Sequence, residues 1–166
     1  CTPDVAGPDD RVTRSSHALT MSVDLVGGFE RYWQTRPRKL RENLRRYENR
    51  AESAGERLQL RVLDQPAEMP DAVRRYGELE ATGWKGRAGT AVDEASGQLD
   101  FYSHLMVDLA HQGSARVLEL WLGGTLVASR LLANQGRAVV ALKTCYSEPH
   151  RAFAPGRLLL KRAVVH

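Results

Sequence analysis

The sequence predicts an α+β fold: a mixed, mainly antiparallel sheet with flanking helices. Stretches of helical period alternate with strand-like runs, and the last three runs follow one another through short glycine-bearing turns, as a meander does. Composition agrees, since 166 residues with 42% hydrophobic and 27% charged side chains suit one ordinary globular core. The expected arrangement covers one face of the sheet with helices.

Residues 1–28 mix Pro3, Gly7, Pro8, Asp9 and Asp10 without a sustained period, which predicts a poorly ordered linker or the edge segment of a missing N-terminal half. The folded domain is expected over 29–166. Leu40, Leu44, Tyr47, Ala51 and Ala54 recur at helical spacing after Pro37 and stop at Gly55, so they form a helix. Leu58 to Val62 alternates as a half-buried strand. Met69, Val73, Tyr76 and Leu79 mark a second helix, opened near Asp71 and stopped by Gly83. Trp84 to Thr90 is a basic, Gly-rich loop, and Phe101, Leu105 and Leu109 line a third helix. Arg116–Leu122, Thr125–Ala133 and Arg137–Cys145 are the three strands of the meander. The Gly123-Gly124 pair between the first two supplies the positive φ that a tight hairpin turn requires. An irregular stretch leads to Pro155-Gly156, which opens a last helix.

No apolar run approaches the roughly 18 residues of a membrane span. Only Cys1 and Cys145 are cysteines, too few for a disulfide framework or a zinc site, so no metal is expected and a cytoplasmic location is the default. A net charge of +4 and a pI near 9.3 favour anionic partners. Cys1 at the start and an uncapped helix at His166 lead us to expect part of a longer domain, truncated before its C-terminal strands and inactive alone.

Several segments together resemble one family. Lys39-Leu40-Arg41-Glu42-Asn43-Leu44-Arg45-Arg46, Gly83-Trp84-Lys85-Gly86 with Gly89-Thr90-Ala91, Phe101-Tyr102 with Leu109-Ala110 and Gly113, and Pro155-Gly156-Arg157-Leu158-Leu159 stand in a characteristic order. In that order and approximate spacing the chain resembles GNAT-type acetyltransferases, of the group that includes bacterial cellulose-biosynthesis acetyltransferases and Fem-type peptidyltransferases. The resemblance implies an N-acyltransferase with acetyl-CoA or another acyl-CoA as donor and a small-molecule, glycan or peptide amine as acceptor. In that fold the pantetheine runs beside the fourth strand and the pyrophosphate meets the next helix start. This assigns Leu142, Lys143 and Thr144, then Pro155, Gly156, Arg157 and Leu158, to the donor. The family's usual phosphate loop has more glycines than Arg151 to Arg157, which keeps one.

A helix N-terminus suits a phosphate because its N–H groups are unsatisfied, with Arg157 and Lys161 adding charge. Trp84, Lys85 and Arg87 are assigned either to the acceptor or to ordinary loop structure. Acylating an amine needs a base, a polarised carbonyl and an acid for the thiolate. By residue type Glu119, Glu148 and His150 are candidate bases and Tyr146 a candidate acid; each has an equally good structural reading. Arg36, Arg38, Lys39, Arg41, Arg45, Arg46 and Arg50 form a solvated helix face, with Glu42 and Arg46 spaced as an ion pair, or else a polyanion site. Acyl transfer from acyl-CoA in exopolysaccharide or cell-envelope metabolism is the leading function. The alternatives are aminoacyl transfer from charged tRNA and a non-catalytic GNAT-like binding scaffold.

Overall fold

The structure, a computed structural model, describes residues 22–165; residues 1–21 of the expected 1–28 linker, and His166, lie outside the described residues. In chain order the elements are α1 (Gly28–Gln34), α2 (Arg38–Ser53), β1 (Leu58–Leu63), α3 (Met69–Ala81), α4 (Trp84–Arg87), α5 (Gln98–His111), β2 (Ala115–Leu122), β3 (Thr125–Gln135), β4 (Ala138–Tyr146) and α6 (Pro155–Val165). Short 3-10 turns cover Pro66–Glu68 and Arg151–Phe153.

Two helices were not expected. In α1, Phe29 and Trp33 stack with centroids 5.4 Å apart, and Trp33 packs on the core. Seven residues are too short to display a period. The Trp84 loop is also helical for one turn, folded tightly against the end of α3. A Cβ on Gly86 would stand 1.9 Å from the Ala81 carbonyl oxygen, so only glycine permits that approach.

All strand pairs are antiparallel, in the order β1-β2-β3-β4. The β2–β3 hairpin turns through Gly123 at φ 55° and Gly124 at φ 86°. A bulge between Leu131 and Leu132 shifts the β3–β4 register. β4 is an edge strand, with Val139 and Val140 exposed.

Helices cover both faces of the sheet, where one covered face was expected. On one face Val117, Leu131 and Cys145 pack with Met69, Val73 and Tyr76 of α3 and with Met106 and Ala110 of α5. On the other, Leu118, Leu120 and Leu132 meet Leu44 and Ala51 of α2 and Leu158 and Leu159 of α6. The near-continuous apolar run of β2, in which six of eight residues are buried, reflects this double burial. Outside the core, α2 is ringed by charge: Arg38 pairs with Glu42 at 2.6 Å, in place of the expected Glu42–Arg46 pair, and Arg46 donates to Asn43 Oδ1.

Candidate active site

After β4 the chain turns back towards the sheet, and Ala154 adopts the left-handed region at φ 47°, ψ 51°. An alanine rarely pays that conformational cost without a reason in the surrounding packing. Here the turn aims the Ala154 carbonyl along α6, where it accepts the N–H groups of Arg157 at 3.0 Å and Leu158 at 3.1 Å. Pro155 has no N–H, so Gly156 carries the first-turn donor left over. Fewer bare donors face an approaching anion than the sequence implied. Side-chain charge adds to that single N–H, from Arg151 and Arg157.

These residues form the floor of a groove of about 380 Å³, lined by Tyr47, Tyr146, Arg151, Ala154, Pro155, Gly156 and Arg157. Its walls are fixed from α2: Arg50 Nη1 donates to the Ala152 carbonyl at 2.8 Å, and Glu48 accepts from Lys161 at 2.9 Å. Lys161 therefore ties α6 to α2.

A smaller cavity of about 40 Å³ is lined by Glu80, Gly83, Trp84, Lys85, Thr144, Cys145, Tyr146 and Glu148. Tyr146 belongs to both linings. At the base of this cavity Glu80 is buried. Its Oε1 accepts the Tyr76 hydroxyl at 2.8 Å and Lys85 Nζ at 2.5 Å, and its Oε2 accepts the Val92 N–H at 2.9 Å. Burial pushes its carboxyl up, but the bonds from Lys85, Tyr76 and Val92 outweigh that and hold it below the ordinary value. The Tyr76 hydroxyl is pushed well up, chiefly by burial. Burial also pushes the Cys145 thiol up to about 12, so it is inert as a nucleophile at neutral pH.

At the rim, Glu148 Oε2 meets Arg87 Nη2 and its Oε1 accepts the Trp84 N–H, both at 2.9 Å. The second bond satisfies a donor at the start of α4. The Arg87 bond and then the Trp84 bond hold the Glu148 carboxyl below the usual range. Trp84 itself is 58% exposed beside this opening. A larger groove of about 430 Å³ lies elsewhere, between residues 22–26 and α1. It is an open surface trough that gathers none of the carboxylates described above.

The structure brings Trp84, Lys85, Thr144, Tyr146 and Glu148 to the small cavity and Pro155, Gly156 and Arg157 to the groove. Leu158 is buried beneath, in the α6 core contact. Leu142 and Lys143 turn towards α5: Leu142 packs on that core cluster, and Lys143 Nζ donates to Gln98 Oε1 at 3.2 Å and lies 5.2 Å from the Tyr102 ring centroid. His150 Nδ1 is 2.7 Å from Ser147 Oγ, inside the turn, and lines neither space. Glu119 is wholly buried on the α3 face, its two oxygens taken by Arg75 Nε at 2.8 Å and Trp121 Nε1 at 3.0 Å. Among the described residues no cluster of three or more metal-ligating side chains occurs, and no helix is long and apolar enough to cross a membrane.

Sequence reasoning missed Glu80, Tyr47 and Arg151. Glu80 continues the apolar stripe of Met69, Val73 and Tyr76, and a carboxylate at a core position of an amphipathic helix is itself a signal. Tyr47 reads from the sequence only as a core position of α2, and Arg151 only as the first residue of the stretch compared with the family's phosphate loop.

An antiparallel sheet lies between helix layers, and a basic groove at the start of α6 and a carboxylate-lined cavity share Tyr146 in their linings. A family profile described as an acetyltransferase (GNAT) domain matches residues 38–166. The chain belongs to that GNAT acetyltransferase family, whose class of activity is acyl transfer. No curated protein and no solved structure matches the chain.

Proposed function

We propose that the protein transfers an acyl group from acyl-coenzyme A to a primary amine. One observation carries this: Tyr146 lines both the basic groove and the carboxylate-lined cavity, so a donor in one space and an acceptor at the other meet at a single side chain. The Gly156 N–H, Arg151 and Arg157 receive the donor's phosphates, where a helix start and two guanidinium groups favour negative charge. Tyr47 flanks the same groove. The outward backbone edge of β4 near Thr144 and Cys145 receives the pantetheine and the thioester.

The acceptor approaches past Trp84 and Glu148. A carboxylate held ionised binds an ammonium well but is a weak base, so Glu148 orients the amine and its proton passes on to water. The amine nitrogen then bonds to the thioester carbon and gives its second proton to water, the C–S bond breaks, and the departing thiolate takes the Tyr146 hydroxyl proton, which solvent replaces. The net reaction forms an amide, releases coenzyme A as the thiol and liberates one proton. Lys85 keeps Glu80 neutralised and so preserves the cavity wall. The resemblance to cellulose-biosynthesis acetyltransferases supports an acceptor from exopolysaccharide or cell-envelope metabolism.

Release of coenzyme A thiol from acetyl-CoA, measured across a panel of amino sugars and amino-terminal peptides, tests the assignment. Amine-dependent release that falls in Tyr146→Phe supports it. If acetyl-CoA shifts no backbone amide resonance at Gly156 or Arg157, the groove is not the donor site. The Ala154 carbonyl, which takes two helix-start N–H groups, would then favour the non-catalytic scaffold.

A further inference from the structure

We infer that α1, the first half of α2 and the turn before them form a surface that docks the protein on an anionic lipid bilayer. The inference is independent of the acyl-transfer reading and uses none of the residues placed in the groove or the cavity. Residues 22–46 carry seven basic side chains against three acidic ones, Asp24, Glu30 and Glu42. That net charge of +4 equals the total for all 166 residues, so the rest of the chain is neutral as a whole.

Helical spacing gathers the charge. Arg38, Arg41 and Arg45 stand three and four residues apart and share one flank of α2 with Glu48. Glu48 accepts Lys161 Nζ, which lies 5.4 Å from the Trp33 ring centroid, so this flank is the one beside α1. Tyr47 and Arg50 leave α2 on the opposite side, towards the donor groove. Among the described residues Arg31, Lys39, Arg41 and Arg45 make no ion pair, and the Arg38–Glu42 pair is exposed and therefore weak.

Charge alone suits any polyanion. The apolar side chains beside it favour a bilayer. Val23, Leu25 and Val26 are 52%, 40% and 70% exposed, on a turn closed by the Gly28 N–H to the Leu25 carbonyl at 2.9 Å. Val23 and Val26 line the trough of about 430 Å³ together with Arg31 and Arg36, so the aliphatic and the basic side chains form one surface. On an anionic membrane the aliphatic groups enter the boundary between headgroups and acyl chains while the cations meet lipid phosphates. A nucleic acid gains nothing from the aliphatic trio and stacks its bases on open rings. Here Arg36 covers the Tyr32 ring at 4.5 Å, and Phe29 stacks on Trp33.

Sedimentation of the full chain with vesicles of phosphatidylglycerol and phosphatidylcholine, against vesicles of phosphatidylcholine alone, tests this, with thermal melting to show that each variant is folded. The protein should partition onto the anionic vesicles at least about tenfold more strongly, and high salt should release it. Arg38→Gln combined with Arg45→Gln should weaken partition at least about tenfold, since each basic residue near the surface contributes about fivefold. Leu25→Asn combined with Val26→Asn should weaken it as well, with the charge intact. Equal partition onto both kinds of vesicle, partition onto neither, or partition that either double variant leaves unchanged overturns the inference. If a short DNA duplex at equal phosphate concentration strips the protein from the anionic vesicles, the surface serves nucleic acid and the inference falls.

Discussion

The Tyr146 ring lies directly against the backbone of Gly156, so that a Cβ on the glycine would approach Tyr146 Cδ1 to 3.2 Å. The end of β4 and the start of α6 are thereby coupled without a hydrogen bond. A larger residue at 156 must move the ring that lines the groove.

Glu119 and Arg75 form a pair in which the carboxylate is wholly buried and the guanidinium mostly so. Replacing Glu119 with Ala strands the charge of Arg75 and the indole N–H of Trp121, which should cost about 3–5 kcal/mol in urea denaturation. Glu119→Gln should keep donor affinity unchanged while losing stability. A selective loss of turnover at full stability would return Glu119 to the list of bases.

Glu80 should make stability depend on acid. Its carboxyl lies below the ordinary value in the folded state, so its contribution is complete above the ordinary carboxylate range and is lost as pH falls through the folded value. Melting temperatures of the protein and Glu80→Gln, followed from neutral pH downward, should differ most at neutral pH and converge on acidification. A gap independent of pH would contradict the bonding drawn around Glu80.

Ala154 holds a left-handed conformation at φ 47° that glycine adopts more readily. Ala154→Gly should stabilise the protein by about 0.5–1 kcal/mol, the relieved strain being partly offset by the greater freedom of glycine in the unfolded chain. Chemical denaturation measures this directly. A destabilised variant would mean that the turn before α6 differs from the one described.

Cys145 is buried and its thiol is pushed up to about 12, so iodoacetamide at neutral pH should leave it unmodified in the native protein. Peptide mapping after unfolding should show full labelling at this residue. Rapid native labelling would place Cys145 at an open surface.

The order of elements was legible because local period carries it: Leu40, Leu44, Tyr47 and Ala51 predict α2, and the Gly123-Gly124 hairpin appears where its two glycines stand. The second covered face was less so, since element order alone does not reveal the double burial of β2. Residues of the site split the same way. Gly156 and Trp84 stood out as punctuation in the sequence, whereas Glu80 reaches the cavity only because α4 folds back and brings Lys85 to it. Lys161 and Glu119 show the converse, as partners more than 40 residues distant, Glu48 and Arg75, engage groups that residue type alone offered to chemistry.

The most direct test of the donor site is calorimetric titration of acetyl-CoA into the protein and into Gly156→Val, both shown to be folded by thermal melting. Valine at this position fills the approach to the groove floor and pushes the Tyr146 ring aside. The account predicts saturable binding to the protein and affinity weaker by at least about tenfold in the variant, comparable to the smaller losses that a misfitting pocket produces. Equal affinity in both proteins, or no binding to either, would contradict it.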